Sequence, residues 1–144
     1  MGAEQTLTGS IAASHVIKWL RAWYRNEGMP EAIDLEVVRQ LLPTTPYGTG
    51  VREIRPPVQF NDDAFEGMLA RDPGDHEVWG IAYNGKSRLE RQRFTIAHEL
   101  GHFILHRSRQ QSFNCDKQSV HTGIDTLRSI EREADEFASN LLMP

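Results

Sequence analysis

His98-Glu99-Leu100-Gly101-His102 sets two imidazoles four residues apart, with a carboxylate between them. On a helix, residues i and i+4 share one face about a turn apart, so both rings can converge on a single metal ion. Glu99 lies about 100 degrees round the helix from His98, beside such an ion rather than on it. The chemistry this permits is metal-assisted hydrolysis. A bound ion lowers the pKa of water to about 7 and polarises a carbonyl, while Glu99 takes the water's proton and passes it to the leaving nitrogen. An HExxH run alone also arises on ordinary polar helix faces, so the third ligand and the surrounding element decide the reading.

A catalytic zinc normally takes three protein ligands and keeps one open position. His106 repeats the four-residue step, but eight residues of helix separate it from His98 by roughly 12 Å along the axis, too far to share one ion through bonds of about 2 Å. The position ten residues after His98, where the metzincin pattern needs histidine, is Ser108, which excludes that class. Cys115 and His121 fall in an irregular stretch that singles out neither, and both stay open. Glu131 begins Glu131-Arg132-Glu133-Ala134-Asp135, with Asp135 one helical turn further on. A metal-bound imidazole commonly donates its other N–H to a carboxylate, so Glu131 as ligand and Asp135 as orienting group would act as one unit. Glu133 sits about 200 degrees round from Glu131 and is expected in solvent or a salt bridge. Zinc is the default ion. Manganese or iron would also suit two histidines and a carboxylate.

These side chains need helices to carry them and a core to hold the helices. Residues 88–106 contain no proline, and apolar side chains recur at Phe94, Ala97, Leu100 and Phe103 or Ile104, which predicts the central helix. Residues 127–142 regain helical spacing before Pro144. Upstream, residues 11–26 form an amphipathic helix ending at Gly28-Met29-Pro30, and a second helix follows the N-cap candidate Asp34 until Pro43. A short strand is expected at residues 51–55. Residues 65–70 and 78–83 flank Asp72-Pro73-Gly74-Asp75 and predict a hairpin. Residues 108–126 carry no clear pattern. The expectation is one α+β domain over residues 1–144, zincin-like, with helices packed on a small mixed or antiparallel sheet: a helical lead-in at 1–45, the sheet at 50–85 and the metal-binding helices at 88–144.

Composition narrows the class. The 144 residues carry 16 Lys and Arg against 20 Asp and Glu, for a net charge of -4, with no basic face to hold nucleic acid. Glu27, Glu31, Asp34 and Glu36 around the first helix junction argue against a DNA-reading helix-turn-helix there. There is no sustained apolar run for a membrane span or signal peptide, and the single cysteine, Cys115, cannot build a disulfide framework. A cytoplasmic location is the resulting expectation.

The segments RQRFTIAHELGHFILH at Arg91 to His106 and EREADEFASNLLMP at Glu131 to Pro144 resemble the ImmA/IrrE family of metallopeptidases, and the likeness extends less sharply through Gly80 to Asn84. The resemblance implies His98, His102 and Glu131 as metal ligands, Glu99 as the catalytic residue and Asp135 as the partner behind a ligand. Many similar proteins have Asn at that last position, and Asp resembles the wider gluzincin pattern. Members of the family typically cleave helix-turn-helix repressors, so the resemblance implies a repressor as substrate. Similar proteins commonly continue beyond Leu141-Leu142-Met143-Pro144, which implies a chain truncated at the C-terminus or lacking the usual distal region.

By analogy with such peptidases, residues 78–84, if they form a sheet edge beside the central helix, would bind the substrate as an added strand through Gly80, Ile81 and Ala82. Tyr83, Tyr47, His121 and Arg91 are indistinguishable as oxyanion stabilisers. The competing function class is a metal-ordered interaction module that binds a partner without cutting it, or a toxin-antitoxin component. Glu99 separates these readings, since only cleavage requires it.

Overall fold

Thr8 starts the first helix: its hydroxyl accepts a hydrogen bond from the Ile11 amide at 3.1 Å in the computed structural model, which describes residues 6–116 and 125–143. Helix α1 (Gly9–Tyr24) buries Ala12, Ala13, Val16 and Leu20, an apolar stripe at helical spacing. Asp34 caps α2 (Leu35–Leu41) as expected, accepting from the Glu36 amide at 2.9 Å. Pro43 then falls within a single 3-10 turn, Leu42–Thr44.

The sheet is mixed. Strands β1 (Glu53–Ile54) and β2 (Val58–Phe60) both run parallel to β4 (Val78–Asn84), and β3 (Phe65–Arg71) pairs with β4 antiparallel as the predicted hairpin. Asp72 Oδ1 accepts from the Gly74 amide at 2.7 Å and fixes its turn. Ile54 lies opposite Trp79 and Val58 opposite Ala82, so three residues between these pairs on one side answer two on the other. The break holds Pro56 and Pro57, neither of which can donate to a ladder. Strand β5 (Ser112–Asp116) pairs antiparallel with β3 on its other side.

This topology corrects one expectation. β4 is interior, with β3 along one side and β1 and β2 along the other, β1 pairing at Val78 and Trp79 and β2 from Ala82 to Asn84, so Gly80, Ile81 and Ala82 do not belong to a free edge strand. Five of its seven residues are buried, the near-continuous burial of an inner strand. β2 and β5 were not expected from the sequence.

Helix α3 (Leu89–His106) packs on β3 and β4 and also against α4 (Asp125–Leu142), which in turn packs on α1. Lying between sheet and helix, α3 buries every residue from Ala97 to Ile104. Gly101 permits the close crossing: a Cβ there would come within 3.0 Å of Phe137 Cδ1 and 3.3 Å of the Ala134 backbone. On α4, Ile130, Ala134, Phe137, Ala138 and Leu141 face inward. No helix among the described residues is long and apolar enough to cross a membrane.

Candidate metal centre

The close approach of α3 and α4 brings Glu131 over the two histidines. Glu131 Oε2 is 3.0 Å from His98 Nε2, and Glu131 Oε1 is 2.9 Å from His102 Nε2. His98, His102 and Glu131 form a group that could hold a metal ion, one donor atom from each lying within 4.8 Å of the others. A tetrahedral ion with bonds of about 2 Å sets its ligand atoms roughly 3.3 Å apart. The residues fit a metal ion of this kind. His98 is 7% exposed and His102 is fully buried.

Behind the first of these rings, His98 Nδ1–H donates to Asp135 Oδ1 at 2.7 Å. This is the carboxylate-imidazole brace that fixes ring orientation at metal sites. Burial disfavours charge on His98, but the hydrogen bonds to Asp135 and Glu131 and the nearby Glu99 and Glu131 charges prevail and push its pKa up to about 10. Burial lowers the pKa of His102. Burial opposes the charge of Glu131, yet its hydrogen bonds to His102 and His98 hold the carboxyl well below the usual carboxylate range.

Glu99 is fully buried on the same helix. Its side chain faces β3 at a glycine, where a Cβ on Gly67 would fall 2.8 Å from Glu99 Oε2 and 2.4 Å from Thr95 Cγ2. Gly67 thus leaves the room that this carboxylate occupies. The pairing between β3 and β5 is irregular at the same place, between Phe65 and Gly67. Phe113, from β5, stacks on His102 with centroids 4.6 Å apart and planes 12° from parallel.

The other sequence candidates separate. Arg91 pairs with Glu66 at 3.2 Å. Tyr47 bonds His15 through its hydroxyl at 2.5 Å and packs edge-on against Trp19. Cys115 contributes its backbone to β5, opposite Gly67, and His121 lies outside the described residues.

Two residues near the site escaped sequence reasoning. His106, set aside because of its distance from His98, is fully buried, with its Nδ1 2.9 Å from Nδ1 of His102. Its i+4 relation to His102 was the available signal. Phe113 had no such signal, because its place depends on a strand pairing across more than forty positions.

No curated protein matches the chain. A peptidase family model described as the IrrE N-terminal-like domain matches residues 58–144, from β2 through α4, including every residue of the cluster. The match spans more than half of the chain, and the α+β architecture with helices on a mixed sheet agrees with a zincin-like fold. On this match, on a helix bearing His98, Glu99 and His102, and on a facing helix bearing Glu131, the chain belongs to the IrrE N-terminal-like family of metallopeptidases.

Proposed function

We propose that this protein is a zinc-dependent endopeptidase that cleaves a protein substrate, with His98, His102 and Glu131 as ligands and Glu99 as general base. The observation that carries the reading is the convergence of His98 Nε2, His102 Nε2 and the Glu131 carboxylate on one point beside buried Glu99. A bound zinc supplies a Lewis acid that makes water a nucleophile near neutral pH. Glu99 accepts the proton of the attacking water and returns it to the departing amide nitrogen. Asp135 keeps His98 turned toward the ion. Substrate binding is assigned to β5: among the described strands it pairs with β3 alone, and its Phe113 touches His102. An extended segment added to that edge would pass the metal ligands. The family resemblance supports a helix-turn-helix repressor as the substrate, and the acidic balance of the chain is consistent with a protein rather than a nucleic-acid target.

The test combines metal content with cleavage. Wild type and Glu99→Gln should each carry close to one zinc per chain, and Glu131→Ala should lose it. A host lysate treated with wild type should then gain new protein N-termini, among them one from a helix-turn-helix repressor, that Glu99→Gln does not produce. Equal N-termini from both proteins would reject the peptidase reading. Normal partner-dependent regulation by Glu99→Gln would favour a module that binds without cutting.

A further inference from the structure

His106 stands one turn beyond His102 on α3 and is fully buried. A buried polar ring costs free energy unless its nitrogens are engaged. Helix geometry removes it as a ligand alongside His98, and the structure shows what it meets instead. His106 Nδ1 lies 2.9 Å from His102 Nδ1, while the other nitrogen of His102, Nε2, faces Glu131 Oε1 at 2.9 Å. On its far side, His106 Nε2 has no hydrogen-bond partner among the described residues and sits 3.7 Å from Glu133 Oε2.

We propose that His106 is a positioning residue for the metal centre: it accepts the Nδ1 proton of His102 and so holds His102 in the one neutral tautomer whose Nε2 can bind a metal ion. The inference rests on the reading of His98, His102 and Glu131 as a metal site. A neutral imidazole carries one N–H, so a ring that offers its Nε2 lone pair must carry its proton on Nδ1. In a ring without access to water that proton needs a protein acceptor, and His106 Nδ1 is in place to be one. Acceptance there assigns the proton of His106 to Nε2, the nitrogen that faces the Glu133 carboxylate. Phe113 stacks on His102 and sets the ring plane, but it has no acceptor to offer. Helix α4 thus braces His98 directly through Asp135, while His102 is held from its own helix by His106. Glu133, expected in solvent or a salt bridge, stands 3.7 Å from His106 Nε2.

The experiment measures zinc affinity by chelator competition for wild type, His106→Leu and His106→Gln, together with long-range nitrogen-proton NMR of zinc-loaded wild type. Leucine fills much of the space without an acceptor and is expected to weaken zinc binding about 10- to 100-fold. Glutamine presents an amide oxygen and should recover most of that loss. The NMR spectrum should place the protons on His102 Nδ1 and His106 Nε2. Leucine and glutamine variants that bind alike, or a zinc-loaded His106 protonated on Nδ1, would overturn the proposal. The spectrum needs no substitution, so a leucine variant that fails to fold leaves the test intact. Wild type that takes up no zinc removes the metal-site reading and this inference together, whereas wild-type uptake matched by His106→Leu removes this inference alone.

Discussion

Asp135 accepts the Nδ1 proton of His98 at 2.7 Å although its own side chain is 56% exposed. One face of this brace is therefore open to water while the ring it holds is buried. Removing the carboxylate should leave the fold intact and loosen the metal. Asp135→Ala is expected to weaken zinc binding about 10- to 100-fold, and Asp135→Asn, which keeps an oxygen acceptor without its charge, should fall between. Competition titration against a chelator checks the order, and an alanine variant within twofold of wild type would contradict it.

Zinc uptake should release a proton from His98. In the metal-free protein, hydrogen bonds to Asp135 and Glu131 outweigh burial and hold His98 protonated up to about pH 10. Its Nε2 must give up that proton to become a ligand. Apparent zinc affinity should thus rise about tenfold per pH unit across neutral pH and flatten as pH passes about 10. The stability of the metal-free protein runs the other way. A raised folded pKa contributes in full below the unfolded value of 6.5 and is lost as pH climbs through about 10. Calorimetry at pH 7.5 in buffers of different ionisation enthalpy measures the proton count, and a count of zero would refute the assignment.

The parts of the site visible in the sequence are those governed by spacing within one element. His98, Glu99 and His102 are positioned by helical periodicity, and Glu131 with Asp135 by the same rule on α4. Positions set by contacts between elements were hidden. β5 has no long alternating apolar pattern and exists through its pairing with β3, while β2 is a three-residue edge strand exposed throughout. β4 could have been read better, because its apolar run Val78-Trp79-Gly80-Ile81-Ala82 is that of an interior strand rather than an edge. Distance from His98 excludes His106 from a shared ion but says nothing of its contact with His102. Its neighbour on the helix was the more informative comparison.

Gly9 should resist a substitution that helix propensity favours. A Cβ on Gly9 would lie 2.5 Å from the Glu133 carbonyl oxygen and 2.6 Å from the Phe137 nitrogen, both backbone atoms of α4. Alanine is the better helix former by up to about 1 kcal/mol, but overpacking typically costs about 1–3 kcal/mol, and backbone gives way less readily than a flexible side chain. Gly9→Ala is therefore expected to lower stability by about 1–2 kcal/mol. Chemical denaturation of the metal-free protein measures this without interference from zinc, and a variant as stable as wild type or more so would show that α1 can shift on α4 at little cost.

Gly67 is where the sheet makes room for Glu99, the proposed general base. A methyl group there would sit 2.8 Å from Glu99 Oε2 and 2.4 Å from Thr95 Cγ2, so either the carboxylate or the Thr95 side chain must move. Gly67 touches none of the metal ligands in this way, and Gly67→Ala should keep zinc while misplacing Glu99. Displacements of about 1 Å at reacting groups can cost on the order of 100-fold in rate, and a loss of about 10- to 100-fold in cleavage at unchanged zinc stoichiometry is the expected outcome. Adding Thr95→Ser removes the Cγ2 obstruction but not the conflict with Glu99, so it should restore stability more than rate. Full activity in Gly67→Ala would mean that Glu99 has room elsewhere and that the glycine serves only the irregular pairing of β3 with β5.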